Sequence, residues 1–169
     1  MRLAVDTRFQ RVTLEKFVEI YYSEPFNEAV ATVSGLKSRK LVEERVDDAG
    51  IRHRRVRMEP AVTLPGPVQA LADKLAGGKA AITYDEVTEY DTAKHTARFR
   101  MDHKAMDRVR FEGTIRFLVD GDGVRRVIDG VVEVKAPLVG GIVERFIESE
   151  TQKGYVKIAA FLQKWLDEH

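Results

Sequence analysis

The sequence predicts an α+β fold in which a curved antiparallel sheet of about seven strands wraps around a long C-terminal helix. Three observations lead to this prediction. Residues 2–9 alternate between apolar and polar side chains, residues 37–135 continue that alternation in successive hairpins, and residues 137–168 carry an apolar stripe at helical spacing. Such a helix needs a surface to pack on, and a twisted antiparallel sheet offers one. We expect residues 1–169 to form a single domain of this kind.

The N-terminal part predicts one strand followed by two short helices. Residues 3–9 alternate at the strand period, with Leu, Val, Thr and Phe on one side. Thr13 is suited to cap the first helix, because its hydroxyl can accept a hydrogen bond from a backbone amide in the first turn. The run Ser23-Glu24-Pro25 ends that helix and starts a second one, which we expect to continue to Gly35.

Most of the remaining chain alternates at the strand period until the final helix. Turn-forming sequences separate the segments, as at 47–50 and 120–123. Residues 68–78 interrupt the strands with a short amphipathic helix that the glycine pair 77–78 would end. The predicted strands after the first are residues 37–46, 51–59, 80–90, 95–101, 109–119 and 124–136.

Composition narrows the class of protein. The chain has 28 basic and 27 acidic residues, and the net charge of +1 argues against a general nucleic-acid binder or a polybasic membrane-surface protein. The absence of cysteine excludes disulfides and thiolate metal sites. No segment approaches the length of a membrane span, and the first residues lack the apolar core of a signal peptide. We therefore expect a cytoplasmic protein without stable membrane insertion.

Short motifs for metal binding, cofactor binding or nucleophilic catalysis do not occur in the sequence. The four histidines are not spaced as metal ligands, so no metal site is expected; they are His53, His95, His103 and His169. Gly77-Gly78-Lys79 lacks the spacing and the following hydroxyl of a phosphate-binding loop. Neither a dinucleotide fingerprint nor a Gly-x-Ser-x-Gly elbow is present. We therefore expect no cofactor.

The strongest charge feature is the basic run IRHRRVRM at residues 51–58. Alternate residues of a strand point to opposite faces, so the arginines of this run divide between two faces instead of forming one patch. Acidic residues at 85, 86 and 89 lie on a neighbouring hairpin. We interpret the run as part of a solvated, salt-bridged sheet face, and we expect no nucleic-acid binding.

The order of elements resembles the helix-grip fold of the START-related, birch-pollen-allergen-like (SRPBCC) superfamily. The resemblance covers essentially the whole chain and depends on the paired short helices at 13–34, the hairpin run 37–135 and the helix 137–168. A strand ending in RFQR before a Thr-capped helix looks like a bacterial branch of unknown function. The resemblance implies an apolar cavity between sheet and helix. It also implies binding of lipids, sterols, polyketides or hormones, with a minority of members catalysing cyclisation or dehydration.

The apolar stripe of the C-terminal helix is interrupted at its centre by Glu150, Thr151 and Gly154. At about 100° per residue, apolar side chains on either side of these positions share their face. Those side chains are Val139, Ile142, Val143, Phe146, Ile147, Ile158, Phe161 and Trp165. In one interpretation Glu150 and Thr151 orient a ligand's polar group and Gly154 leaves room for its body. In the other, Glu150 pairs with a core arginine and Gly154 is a close-packing point or a kink.

Strand alternation suggests which other side chains line the same space. The candidates for ligand contact are Tyr84, Glu86, Phe99, Met101 and Phe111, together with Phe146 of the helix. The inward-facing sets also include Ile82 and Thr88, and Val42, Glu44, Val46, Arg54, Val56 and Met58 of the first hairpin. For Glu44 and Arg54 we favour a cross-strand ion pair over a ligand contact. Met and Phe at this spacing also suit an ordinary core.

Three functional hypotheses follow. The first is a binding protein, a monomer or weak homodimer, that holds a hydrophobic small molecule of lipid or polyketide type. Glu150, Tyr84 and Glu86 would orient that molecule. The second is an enzyme of the cyclase, dehydratase or hydrolase type, with Glu150 as a general base whose pKa is raised by burial and Tyr84 as a donor to an oxyanion. The third is an interaction module, which an exposed apolar patch in place of a cavity would indicate.

Overall fold

An antiparallel sheet of seven strands forms the frame of the protein in a computed structural model that describes residues 1–61, 64, 66–76, 83–103 and 108–169. The strands are β1 (Arg2–Phe9), β2 (Leu36–Val46), β3 (Ile51–Pro60), β4 (Tyr84–Asp91), β5 (Thr96–Asp102), β6 (Val109–Asp120) and β7 (Gly123–Val134). Their spatial order is β1-β7-β6-β5-β4-β3-β2. Each of β2 to β7 pairs with its sequence neighbour, and β1 joins the last strand. The predicted sheet of hairpins is confirmed.

The helices are α1 (Leu14–Tyr21), α2 (Glu24–Ala31), α3 (Gly66–Ala76) and α4 (Gly140–Glu168). Thr13 caps α1, where its Oγ1 accepts a hydrogen bond from the Lys16 amide at 3.3 Å. Ser23 caps α2 in the same way, through the Phe26 amide at 3.4 Å. The predicted helix pair is confirmed, although α2 ends four residues before Gly35. The predictions for residues 77–82, which include the glycine stop and Ile82, lie outside the described residues.

The long C-terminal helix begins at Gly140 and not near Pro137, as the sequence predicted. Leu138 has a φ of 68°, a left-handed conformation that cannot continue a right-handed helix. A Cβ at Gly140 would lie 2.5 Å from the carbonyl oxygen of Val134, so only glycine lets the chain turn this closely beside β7. Among the helices of the described ranges, none is both long and apolar enough to cross a membrane.

Two apolar clusters hold the sheet against the helices. The larger one combines α1, α2 and the second half of α4 with the sheet; its buried members include Phe17, Phe26, Tyr90, Phe117, Ile128 and Leu162. The smaller one joins Val68, Val134 and Val143, with Phe146 and Ile147 packed beside them. The first half of α4 belongs to the smaller cluster through Val143, Phe146 and Ile147, and the second half belongs to the larger one. Glu150, Thr151 and Gly154 lie between these two parts of the helix.

The basic run in β3 forms ion pairs across strands, as the sequence predicted. Arg55 and Arg57 both bind the Asp85 carboxylate, at 3.1 Å and 2.9 Å, and Arg55 also binds Asp102 at 3.1 Å. Arg54 points to the other face and is buried. The positive charge of β3 is therefore divided and paired, and the surface here is a salt-bridged sheet face.

Candidate functional site

A cavity of about 1000 Å³ lies between the sheet and the middle of α4. Apolar side chains from both apolar clusters line it, among them Phe26, Met101, Ile115, Val143, Ile147 and Ile158. Its exposed lining residues are Gly35, Arg57, Thr83, Lys153 and Lys157, which mark where it reaches solvent. The volume is at the upper end of the range found for small-molecule sites, and such sites are usually apolar with a few polar groups.

The structure brings eight of the nine predicted site residues together on the cavity wall. They are Tyr84, Glu86, Met101, Phe111, Phe146, Glu150, Thr151 and Gly154. Three of these are the residues that interrupt the apolar stripe of α4, so the interruption lies where the helix faces the cavity. The ninth, Phe99, is not among the described residues that line it.

Phe99 instead covers the backbone of two neighbouring strands. Its ring edge would lie 2.9 Å from a Cβ added at Gly113 and 3.5 Å from one added at Gly130, and these two glycines face each other across β6 and β7. The ring also packs edge-on against Phe111, with 5.7 Å between centroids. Phe99 is 3% exposed. Phe99 therefore packs against the sheet and against Phe111, which itself lines the cavity.

Glu150 lies at the rim of the cavity. Its Oε1 accepts a hydrogen bond from the Lys153 Nζ at 2.7 Å, and its side chain is 35% exposed. The partner is therefore a lysine one helical turn away and not a core arginine, which was the alternative drawn from the sequence. The enzyme hypothesis required a buried carboxylate at this position, and Glu150 does not have that burial.

Gly154 leaves open space in the wall. A Cβ added there would meet no atom within 4 Å, so the residue is neither a close-packing point nor a contact between backbones. Its helical neighbours Glu150 and Ile158, four residues away on either side, also line the cavity. A side chain at position 154 would therefore extend into the cavity.

Replacing Gly154 by alanine is expected to raise the free energy of unfolding by about 1 kcal/mol, because alanine favours helix and nothing obstructs its methyl group. Chemical denaturation of the variant and the wild type measures the difference. Ser149→Ala, at an exposed position of the same helix, is the matched control, and a much smaller gain is expected there. A loss of stability in Gly154→Ala would contradict the open space seen around this position.

The edge strand β2 departs from simple alternation. Its register with β3 shifts between Leu41 and Glu43, which leaves Val42 as the extra residue of a β-bulge. Val42 is exposed and does not line the cavity, which corrects its predicted inward placement. Val46 keeps the parity of Glu44 but is exposed at the end of the strand and does not line the cavity. The bulge lets Arg39, opposite Met58, and Glu44, opposite Arg54, face the same side. Arg39 thereby joins the cavity wall, although strand alternation did not indicate it.

Two ion pairs lie at the polar side of the cavity. Arg54 Nε is 2.8 Å from Glu44 Oε2, which confirms the predicted cross-strand ion pair. The Nε–H group is not aligned with this oxygen, so the contact is an ion pair without a hydrogen bond from Nε. Arg39 Nη2 is 3.6 Å from Glu86 Oε1, which is an ion pair without close contact. Burial lowers the pKa of Arg54, and the Glu44 carboxylate opposes that change. Both arginines line the cavity, so its polar side carries paired charges.

Three of the four tyrosines that line the cavity, Tyr22, Tyr84 and Tyr155, have a raised pKa. Burial raises the pKa of Tyr84 to about 12, with a smaller contribution from Glu86. Burial also raises the pKa of Tyr22 well above its ordinary value, and Tyr21, Tyr90 and Glu86 act in the same direction. The pKa of Tyr155 is raised for the same primary reason. All three remain protonated near neutral pH and can donate a hydrogen bond.

Arg126 is the most unusual residue of the wall. It lies on β7, has 0% exposure, and its Nε, Nη1 and Nη2 have no hydrogen-bond partner among the described residues. The rings of Phe9, Tyr21 and Tyr155 surround the guanidinium, with centroids at 5.3, 5.9 and 5.3 Å from its Cζ. These rings attract the cation but leave its N–H groups without an oxygen acceptor.

Buried polar atoms without partners are concentrated at this cavity. Among the described residues they belong to six side chains, and all but Arg52 line the cavity: Tyr22, Ser34, Arg39, Arg54 and Arg126. Such atoms are rare in folded proteins because each carries a desolvation cost. Among the described residues, no group of three or more His, Asp or Glu side chains is placed to hold a metal ion. The unsatisfied donors therefore suit an organic ligand with hydrogen-bond acceptors.

Residues 5–166 match the model of a family described as a protein of unknown function, DUF2505. The chain belongs to the DUF2505 family. The predicted membership of a family of unknown function is thus confirmed. A search of curated proteins finds no match to this DUF2505 sequence.

Solved structures share the fold of this DUF2505 chain over nearly its whole length. A Thermus thermophilus protein has 18% identity and a TM-score of 0.67, over 97% of this chain and 95% of the other. The Zhui aromatase/cyclase from Streptomyces sp. R1128 has 13% identity and a TM-score of 0.64, over 99% and 94%. A START superfamily protein from Mycobacterium smegmatis has 13% and 0.58, over 97% and 98%. The helix-grip fold is therefore shown.

Sequence reasoning missed two arginines of the DUF2505 cavity, for different reasons. Arg126 shares its strand parity with Val124, Ile128 and Val132, which are fully buried, so alternation along β7 contained a signal that an arginine points inward. Strand alternation gave no such signal for Arg39. The bulge at Val42 interrupts the alternation, so that Arg39 and Glu44 face the same side although they are five residues apart. The polar side of the cavity is therefore more basic than the sequence pattern predicted.

Proposed function

We propose that this protein binds a hydrophobic small molecule, of lipid or polyketide type, in the cavity between the sheet and α4. The observation that carries the proposal is the cavity of about 1000 Å³ with apolar side chains along much of its wall. Removing apolar ligand surface from water contributes about 25 cal/mol per Å², before the costs of association are subtracted. The protein acts as a cytoplasmic monomer or weak homodimer in this proposal.

The ion pairs at the cavity favour binding over catalysis. Four acidic side chains of the described residues line the cavity, and each is paired with a basic one: Asp85 with Arg55 and Arg57, Glu86 with Arg39, Asp102 with Arg55 and Arg100, and Glu150 with Lys153. The Arg57 and Arg55 guanidinium groups lower the pKa of Asp85. A general base needs an available carboxylate with a raised pKa, so binding is the function that this arrangement supports better.

Native mass spectrometry of the protein, purified under gentle conditions from its own host, tests the proposal. We expect a single bound organic species whose mass disappears after denaturation and extraction. The extracted protein should then bind Nile red, an uncharged apolar dye, saturably and with one site. Glu150→Gln should retain both properties, because its carboxylate lies at the rim and pairs with Lys153.

Two results together would overturn the proposal: no bound species in the native spectrum, and no saturable binding of Nile red to the extracted protein. A dye that binds only to unfolded or aggregated protein would be recognised by titration in parallel with size-exclusion chromatography. Turnover of a bound species that depends on Glu150 would instead support the enzyme hypothesis.

A further inference from the structure

The cavity of the proposed binding protein carries an uncompensated positive charge. Three guanidinium groups lie on its interior wall, those of Arg39, Arg54 and Arg126, whereas the cations Arg57, Lys153 and Lys157 are exposed at its opening. Two carboxylates pair with them, Glu86 with Arg39 and Glu44 with Arg54. Among these interior groups the difference is one positive charge, and it lies on Arg126, whose three guanidinium nitrogens all lack a hydrogen-bond partner among the described residues.

An unpaired arginine in this position is costly for the folded protein. Moving a cation out of water is unfavourable even after the protein relaxes, and aromatic rings compensate only part of that cost. Replacing a buried ion pair by apolar residues is often neutral or stabilising, and a buried cation without a carboxylate has less to offset its desolvation than such a pair. A fully buried guanidinium with all three nitrogens unsatisfied is therefore better explained by a ligand than by packing.

From these observations we infer that the ligand is a hydrophobic monoanion whose carboxylate binds Arg126. This inference rests on the proposed function and specifies the chemical class of its ligand. A guanidinium presents its N–H donors in a planar fork that matches the two oxygens of a carboxylate, and one negative charge neutralises the excess in the cavity. Tyr22 and Tyr155, both neutral, are additional hydroxyl donors on the same wall.

The placement of Arg126 sets the orientation of the ligand. Arg126 contacts the rings of Phe9, Tyr21 and Tyr155, which belong to the larger apolar cluster. Phe146, Ile147 and Val143 line the cavity beside the smaller cluster. The carboxylate therefore enters toward the larger cluster, and the apolar body lies along the first half of α4. Because these rings cover the guanidinium in the structure, binding of the carboxylate requires at least one of their side chains to rotate, a change common at binding sites.

A matched pair of fluorescent probes tests the inference: 1-pyrenebutanoic acid, which is an anion at neutral pH, and 1-pyrenebutanol, which is neutral. We expect the wild type to bind the acid at least about tenfold more tightly than the alcohol, the effect of one charge-assisted hydrogen-bonded pair. Arg126→Met should bind the two probes equally, with unchanged affinity for the alcohol. Arg125→Met is the control on the opposite face of β7, where Arg125 is paired with Asp6 at the surface, and it should behave as the wild type.

Thermal unfolding without probe separates a binding role from a structural one. Arg126→Met should unfold at a higher temperature than the wild type, because it removes a buried cation that has no hydrogen-bond partner among the described residues. If Arg126 stabilised the fold, Arg126→Met would unfold at a lower temperature than the wild type, and this result would count against the inference. If Arg126→Met does not fold, the affinities of the wild type for the two probes still test whether the cavity prefers an anion.

The outcomes for the two proposals are distinct. Equal binding of acid and alcohol by the wild type, or a preference that survives in Arg126→Met, overturns the anionic ligand and leaves hydrophobic binding in place. Failure of the wild type to bind either pyrene probe, while Nile red still binds, counts against the anionic ligand alone. Failure to bind the pyrene probes and Nile red, with no bound species in the native spectrum, overturns the proposed function itself, and the inference with it.

Discussion

Gly154→Phe is expected to weaken binding of 1-pyrenebutanol by at least about tenfold, or 1.4 kcal/mol, while the protein remains folded. The phenyl ring would extend from the centre of α4 into the cavity, because a Cβ at this position meets nothing within 4 Å. It would fill space that the ligand needs and would bury its own apolar surface there. Fluorescence titration measures the affinity, and thermal unfolding should show unchanged or increased stability.

Val156→Phe is the matched control for this experiment. Val156 lies on the same helix two residues away and is exposed, so the same side chain is added outside the cavity. Its affinity for the probe should equal that of the wild type. If Gly154→Phe also bound normally, the ligand could not occupy the centre of this cavity, and the proposed site would be wrong.

Gly113→Ala is expected to destabilise the protein by about 3 kcal/mol or more, because the added methyl group would collide with backbone that cannot move independently of the sheet. A Cβ at Gly113 would lie 2.2 Å from the Asp129 carbonyl oxygen and 2.7 Å from the Gly130 Cα. Both atoms belong to the backbone of the paired strand, so the β6–β7 ladder would have to separate locally. Phe99, which covers this point, would also be displaced.

Gly130→Ala provides the comparison for that prediction. Gly130 faces Gly113 across the same ladder, but its nearest contact would be the Glu112 carbonyl oxygen at 3.2 Å, so a smaller loss is expected. Urea denaturation of both variants gives the two free energies of unfolding. Similar losses of stability in the two variants would show that the closer backbone contact at Gly113 has no effect, which would contradict the geometry.

The fold could be predicted from the sequence because its signals are local. Alternation at period two identified the strands, turn residues placed the hairpins, and Thr13 and Ser23 marked the starts of two helices. Strands joined by short turns usually pair with each other, so few strand orders were possible. A helix of this length with an apolar stripe must pack that stripe on a surface, and the sheet provides one. The start of α4 was less predictable, since the left-handed backbone of Leu138 leaves no mark in the side-chain pattern.

The candidate site was predicted in part for the same reason. The interruption of the helical stripe by Glu150, Thr151 and Gly154 is a local pattern, and all three residues line the cavity. Phe99 has the same parity as Met101, yet only Met101 reaches the cavity. The two glycines that the Phe99 ring covers, Gly113 and Gly130, belong to other strands. The sequence near Phe99 therefore could not indicate that its ring packs against them.

The sequence by itself determined the type and order of the elements and the polar centre of the long helix, because these depend on neighbours within a few residues. Only the tertiary structure decided the surroundings of Arg39 and Arg126, the interior arginines other than Arg54. A bulge at Val42 brings Arg39 beside Glu86, and Arg126 is buried among rings from β1, α1 and α4 without a hydrogen-bond partner among the described residues. Strand register and burial join residues far apart in the chain, and the energy of a buried charge depends on those distant partners.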